Sequence, residues 1–310
     1  LSCALSRNNL VELFFTSEKE FKKVSKTRKS TFLPSTTLPK DIKLKNNLDD
    51  LNKCKYIFLA MPAQRMRENL DSISKLLKNK IFVICNKGIE TETNKLMSQI
   101  VLEMLPSSKN IILSGPNFAH EVAQNLPTAF VLSSRDNGLL RELGSIVSTK
   151  NFRPYFNNDI IGTQLGGAVK NVIAIACGVA EGKYLGENAR SSIITRGLQE
   201  IVYLGKKMGA NVTTFYGLSG IGDLNLTCNS RKSRNFKLGF KLAQGLNISK
   251  IDNMSFLAEG LHSSSSVNKL ATNYDIEMPI CSAVKDLLSG QSVDKIINKL
   301  LSRPLQFEKI

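Results

Sequence analysis

Two lysines and one short polar triplet stand out in the 310-residue sequence as places where chemistry could be done. Lys170 follows Gly166-Gly167 and enters an apolar run, Val172 to Ala180. Partial desolvation there disfavours the charged form of a lysine and makes it a usable general acid or base. Lys87 follows the apolar run Ile81 to Cys85 and precedes Gly88. That is the carboxyl edge of a buried parallel strand, where α/β proteins bind their ligands. Ser233-Arg234-Asn235 reads as a helix start. Serine is a good N-cap, the first backbone N–H groups are unpaired, and an arginine fork can grip two phosphate oxygens. Each feature alone also has an ordinary reading, as a surface lysine or as a capped helix with a solvated arginine.

Other chemistries are poorly represented. The six cysteines (Cys3, Cys54, Cys85, Cys177, Cys228, Cys281) form no C-x-x-C pair, and several lie in apolar runs. There a thiol acts as a small hydrophobe, which predicts reduced cysteines and a cytoplasmic protein. His120 and His262 are the only histidines, so no metal site is expected. No apolar stretch approaches the roughly 18–20 residues of a membrane span, and no signal peptide is visible. The 42 basic and 26 acidic residues give a formal charge of +16. That excess suits anionic partners or background composition equally. Aromatic residues make up only 7%, with no strand of interleaved basic and aromatic residues, so specific nucleic-acid binding is not expected.

The elements that must position these residues fall into two kinds. Up to about residue 157, short apolar runs (Tyr56–Met61, Ile81–Cys85, Ile111–Leu113, Ala129–Leu132) alternate with helical periodicity, as in Met66, Leu70, Ile73, Leu77 and in Met97, Ile100, Val101, Met104. Alternation of this type predicts a parallel α/β sheet. Leu1 to Ser6 reads as the end of a helix and Val11 to Phe15 as a strand. The basic stretch Lys19 to Lys45 reads as a solvated connection around Leu33-Pro34 and Leu38-Pro39, with a binding surface as the competing reading. From about residue 158 the pattern is helical. Helices are predicted near 170–181, 234–244, 261–273, 281–289 and 293–301, and another closes on Lys206-Lys207-Met208-Gly209. The expected domains are therefore 1–157, Rossmann-like, and 158–310, all-α. A G-x-G-x-x-G turn belongs after the first strand of such a sheet but is not found there. The nearest candidate, Gly217-Leu218-Ser219-Gly220-Ile221-Gly222, lies in the helical half and is predicted to be a loop rather than a dinucleotide cradle.

Five motifs occur in order: Lys87-Gly88-Ile89-Glu90, Ser114-Gly115-Pro116-Asn117-Phe118-Ala119, Leu165 to Val172, Gly217 to Leu224, and Ser233-Arg234-Asn235. Together with the tail Leu301-Ser302-Arg303-Pro304-Leu305, the set resembles the bacterial NAD(P)-dependent sn-glycerol-3-phosphate dehydrogenase family. The resemblance covers the chain except for the first strand and glycine-rich loop of that family.

The resemblance implies hydride transfer between NAD(P)H and dihydroxyacetone phosphate, giving sn-glycerol 3-phosphate for phospholipid synthesis. It implies that Lys170 is the acid/base at the C2 oxygen, with Asn171 beside it. Lys87 would touch both substrate and cofactor, and Asp223 would orient Lys170, with Thr227 a polar neighbour. Ser233, Arg234 and Asn235 would hold the phosphate. Gly115 and Asn117 match the substrate-side loop, Ala119 a cofactor contact, and Leu257 and Glu259 the cofactor contacts of a V-V-E-G motif, with Leu in place of Val. Arg234 also counts among the cofactor contacts. Thr16 stands where the family carries an arginine for the 2′-phosphate of NADP, and neighbouring Glu18 and Lys19 leave NAD and NADP both open. A homodimer is implied by the family alone. Alternatives from the sequence are an inactive remnant of that enzyme, or a related two-domain dehydrogenase for another phosphorylated or acidic substrate.

Overall fold

The computed structural model describes all residues except 75, 76, 78, 248–257, 306, 309 and 310. The chain divides into two compact units. The first comprises Leu1–Met61, Arg65–Asn86 and Ser98–Ile160, and the second Pro62–Gln64, Lys87–Met97 and Ile161–Ile310. Two short excursions from the sheet region, one of them carrying Lys87, thus belong to the helical unit.

The first unit opens with α1 (Ser2–Leu5) and β1 (Glu12–Phe14). The Lys19–Lys45 stretch is not a plain connection. It folds as α2 (Glu18–Thr27), a hairpin of β2 (Lys29–Ser30) and β3 (Leu33–Thr37), and β4 (Lys43–Lys45), which pairs in parallel with β1. Its helix was hidden because lysines fill the outer face, while Val24 supplies its one fully buried side chain. Ser17 caps α2 by accepting from the Glu20 N–H.

The main sheet has the order β5 (Tyr56–Leu59), β6 (Ile81–Ile84), β7 (Lys109–Ser114), β8 (Thr128–Ser133), β9 (Phe152–Asn157). It is interleaved with α3 (Met66–Ser74), α4 (Met97–Met104), α5 (Ala119–Ala123) and α6 (Asn137–Val147). The sheet is mixed, not wholly parallel, because β8 runs antiparallel to β7. The 13-residue link between them holds only the five-residue α5. The link from β8 to β9 holds the 11-residue α6, and β9 is parallel to β8. β9 is also an addition to the expected elements. It is an edge strand, so Pro154 is tolerated and its exposed residues break the apolar signal. Val83, Ile111, Leu113, Phe130, Leu132 and the α6 leucines form the core of this unit.

The second unit is built around α7 (Ile160–Gly182), which begins ten residues before the helix expected at 170. It is followed by α8 (Gly186–Lys207), α9 (Asp223–Cys228), α10 (Arg234–Ala243), α11 (Glu259–Asn273), α12 (Pro279–Leu288) and α13 (Val293–Leu301). α7 is long and apolar enough to cross a membrane, yet 83% of its most apolar window is buried in the protein, as the axis of the core. It contributes Leu165, Val169, Val172, Ile173 and Cys177 to a cluster shared with Leu204, Phe215, Leu224, Phe236, Val267 and Val284. Gly209 closes α8 in the left-handed region (φ +85°), as its sequence predicts.

α12 has no side-chain cap of its own. Glu200 of α8 takes that role, accepting from the N–H groups of Ile280 (2.7 Å) and Cys281 (3.1 Å). Burial pushes the Glu200 carboxyl up to about 7, against those hydrogen bonds, from an ordinary 4.5. A carboxyl raised on folding contributes most at low pH, below its unfolded value, and this contribution fades as pH rises through the folded value. Relative to Glu200→Gln, the native protein should therefore lose about 2–3 kcal/mol of stability between roughly pH 4.5 and pH 8. Urea unfolding of both proteins across that range measures it, and parallel curves would refute the assignment.

Candidate active site

The centre of the second unit is a buried ionic cluster. Lys170 lies mid-way along α7, 5% exposed, and Asp223, 1% exposed, is the first residue of α9. The Lys170 Nζ lies 2.9 Å from Asp223 Oδ1 and 2.6 Å from Thr227 Oγ1. Lys87 Nζ approaches the other carboxylate oxygen, Oδ2, at 2.7 Å. One carboxylate thus bridges two ammonium groups, leaving an excess positive charge in a desolvated place. The Thr227 hydroxyl donates to the Asp223 carbonyl one helical turn back (2.7 Å), so towards Lys170 it acts as acceptor. Lys170 therefore donates to Thr227 and is ion-paired with Asp223.

Glycine sets these positions. The segment Gly217–Gly222 is not the expected loop: Leu218–Gly222 winds as one wide π-type turn, kinked at Gly220, and runs directly into α9. A Cβ on Gly220 would meet the Phe215 carbonyl oxygen at 2.1 Å, and one on Gly166 of α7 would meet the Ser219 oxygen at 2.3 Å. The turn thus lies backbone to backbone on α7, one helical turn from Lys170, and delivers Asp223 to it. The glycines of this motif serve close approach, not a dinucleotide.

The helix start expected at Ser233-Arg234-Asn235 is the start of α10. Ser233 is the N-cap and its Oγ accepts from the Phe236 N–H. Arg234 is exposed, whereas Asn235 is buried. The Asn235 side chain is committed inside the protein. Its amide donates to Asn171 Oδ1 (2.8 Å) and its oxygen accepts from the Gly260 N–H (2.9 Å). Asn171 in turn donates to the Lys87 carbonyl (3.1 Å). These two asparagines link the starts of α10 and α11 to α7 and to the Lys87 backbone, a role that the sequence motif did not reveal. What α10 leaves for an anion is the Arg234 guanidinium and its first backbone N–H groups. The Ser230–Lys232 approach to α10 is tied down by Arg231, which pairs with Glu181 (2.6 Å), itself also held by Arg190 (2.7 Å).

Glu259, at the start of α11, accepts from the Ala63 N–H through Oε1 (3.1 Å). Its Oε2, and Ser263 Oγ one turn further on, are buried without a hydrogen-bond partner among the described residues. Both border Gly88, where a Cβ would come 3.2 Å from Oε2 and 2.5 Å from the Ala63 Cβ. Burial pushes the Glu259 carboxyl above its usual range. This cradle of orphaned polar atoms beside Lys87 fits the amide-bearing end of a nicotinamide cofactor. Leu257 lies outside the described residues. Gly115 (φ +121°) ends β7, and Asn117 and Ala119 lead into α5, all within the first unit at the carboxyl end of that strand. No group of His, Cys, Asp and Glu able to hold a metal ion occurs among the described residues.

Comparison with known proteins gives a consistent result. The sequence profile of the NAD-dependent glycerol-3-phosphate dehydrogenase N-terminus matches residues 1–140, and that of the C-terminus residues 159–298. Glycerol-3-phosphate dehydrogenase [NAD(P)+] of Parvibaculum lavamentivorans is 42% identical over 282 residues, 90% of this chain and 85% of that protein. The enzyme of the same name from Caulobacter vibrioides is 44% identical with the same coverage. The crystal structure of glycerol-3-phosphate dehydrogenase from Coxiella burnetii superposes with a TM-score of 0.93 at 31% identity, covering 97% of this chain and 95% of that one.

Proposed function

Because the chain belongs to the NAD-dependent glycerol-3-phosphate dehydrogenase family, an oxidoreductase family acting with NAD or NADP, we propose how its own residues divide the interconversion of dihydroxyacetone phosphate and sn-glycerol 3-phosphate. The observation that carries the reading is the buried Lys170 ammonium, held by Asp223 and Thr227 with a second cation, Lys87, on the same carboxylate. A bound nicotinamide supplies hydride exchange with the substrate C2, and Lys87, Glu259, Arg234, Leu257 and Ala119 are the residues proposed to hold that cofactor.

In the reducing direction, negative charge develops on the C2 oxygen. Lys170 turns an N–H to that oxygen, stabilises the charge and transfers the proton through Nζ. In oxidation the same nitrogen takes the hydroxyl proton. Asp223 holds Lys170 by one carboxylate oxygen and Lys87 by the other, so the two cations share one counter-ion while facing the substrate. Thr227 fixes the Lys170 rotamer as acceptor, and Asn171 holds the Lys87 backbone. Gly115 and Asn117 are proposed on the substrate side. The excess positive charge of the cluster draws an anionic substrate, and the phosphate is gripped away from C2 by Ser233, Arg234 and the Asn235 backbone at the start of α10. Binding energy collected there orients C2 without entering the chemistry.

With NAD(P)H saturating, so that the cofactor contact of Arg234 is not limiting, Arg234→Ala should lower kcat/KM for dihydroxyacetone phosphate about 100-fold, while turnover of the phosphate-free ketone dihydroxyacetone changes little. Equal losses on both would place Arg234 outside the phosphate grip. The reading as a whole is tested by dihydroxyacetone phosphate-dependent loss of NAD(P)H absorbance. A cytoplasmic location, to which six free thiols lend support, belongs to the same proposal, as do a homodimer and a supply of product to phospholipid synthesis. Light scattering measures the dimer directly.

A further inference from the structure

The charge of this protein is unevenly used. Residues 18–45 carry nine lysines and arginines against three carboxylates, and none of them belongs to the Lys170–Asp223–Lys87 cluster. Lys19, Lys22, Lys23 and Lys26 recur on α2 at the spacing of a single helical face, and all four are exposed. The opposite face turns inward. Val24 is fully buried, and the Phe21 ring packs at 5.8 Å from that of Phe15.

The hairpin β2–β3 is fastened beside that face. Glu20 accepts from the Ser30 hydroxyl (2.8 Å), the Thr31 N–H (2.9 Å) and the Thr31 hydroxyl (2.7 Å), and Lys23 Nζ donates to the same Thr31 hydroxyl (2.8 Å). The next residue is Phe32, 73% exposed at the hairpin tip between Thr31 and Leu33. An aromatic ring is thus held in water by a network that fixes its neighbour, next to a stripe of lysines. The acidic groups nearby do not cancel the stripe. Glu20 is spent on the hairpin, Glu18 pairs with Lys22 at 3.4 Å, and Asp41 lies beyond β3.

We propose that the lysine face of α2 and the Phe32 tip form a docking surface for an anionic lipid bilayer. Clustered lysines are attracted by the surface potential of acidic lipids, and an exposed ring beside them gains by leaving water for the interface. The geometry favours a bilayer over a nucleic acid, because one projecting ring beside a convex helix offers no groove to track a strand.

The test is co-sedimentation of the full chain with vesicles of phosphatidylcholine alone or with roughly one-third phosphatidylglycerol. Binding is expected to the anionic vesicles only and to fall with added salt. The double change K22Q/K26Q should weaken it by about 30-fold, and Phe32→Ala by about tenfold. Lys23 is left in place because it holds the hairpin, and thermal unfolding checks that each variant is folded. The proposal is overturned if the protein ignores anionic vesicles, if Phe32→Ala leaves binding unchanged, or if single-stranded or duplex oligonucleotides bind as tightly with the same loss on Phe32→Ala. Turnover is expected to be unchanged in all of these variants, so failure here leaves the dehydrogenase assignment standing.

Discussion

Lys170→Ala is expected to reduce kcat by about 1,000-fold or more while leaving the KM for dihydroxyacetone phosphate within a few-fold. The size follows from two losses at one atom: the proton donor, and the positive charge facing the developing alkoxide. The KM should hold because the phosphate grip proposed above lies at α10, on a different helix from the Nζ. Removing Lys170 also leaves Asp223 with Lys87 as its remaining cation, so the carboxylate is not orphaned and the unit should stay folded. Single-turnover measurements with either cofactor, alongside a circular dichroism melt, separate chemistry from folding. A kcat within tenfold of the native value would remove Lys170 from the proton transfer.

Gly239→Val is expected to cost about 4 kcal/mol of stability, enough to unfold the helical unit at growth temperature. A Cβ at Gly239 would lie 1.9 Å from the Ile175 carbonyl oxygen, and one at Gly178 would lie 2.1 Å from that of Phe236. At both points the obstruction is backbone, which cannot rotate away as a side chain could. α7 and α10 therefore cross with nothing between them, and this crossing sets the span between Lys170 on one helix and Ser233-Arg234 on the other. Any separation of the helices moves the phosphate grip relative to C2. If a milder change, Gly239→Ala, still folds at low temperature, kcat/KM for dihydroxyacetone phosphate should fall further than turnover of dihydroxyacetone. Urea unfolding gives the first quantity, and paired kinetics the second.

The parts of this protein that could be read from its sequence are those in which a pattern has one physical meaning. The apolar runs at 56–61, 81–85, 111–113 and 129–132 became strands of a single sheet because only burial on both faces tolerates them. Ser233 became the N-cap because serine before a helix has little else to do. The direction of β8 was hidden, since an apolar strand sequence does not encode its orientation. β9 was hidden by Pro154 and its exposed ring residues, and α2 by its lysines. Within the site, the identities of Lys87, Lys170, Asp223 and Arg234 came from spaced motifs. Their geometry did not, because the contact between Gly166 and the 218–222 turn, and that between α7 and α10, join residues far apart in the chain. The two-asparagine link was equally out of reach. Asn171 and Asn235 are 64 positions apart, and their side chains matter here for the groups they bridge rather than for a ligand.

The long apolar helix at the heart of the second unit has a consequence for synthesis on the ribosome. α7 is complete at Gly182, but the helices that cover it include α11, which ends at Asn273 and whose Gly260 lies against the Asn171 carbonyl. At translation rates of about 5–20 residues per second, that surface stays uncovered for roughly 5–20 s. During this interval the nascent chain displays a segment with the length and hydropathy of a membrane span. Protection of α7 by a chaperone, or its diversion by the machinery that inserts such segments, is then decided by timing, before the contacts that bury α7 exist.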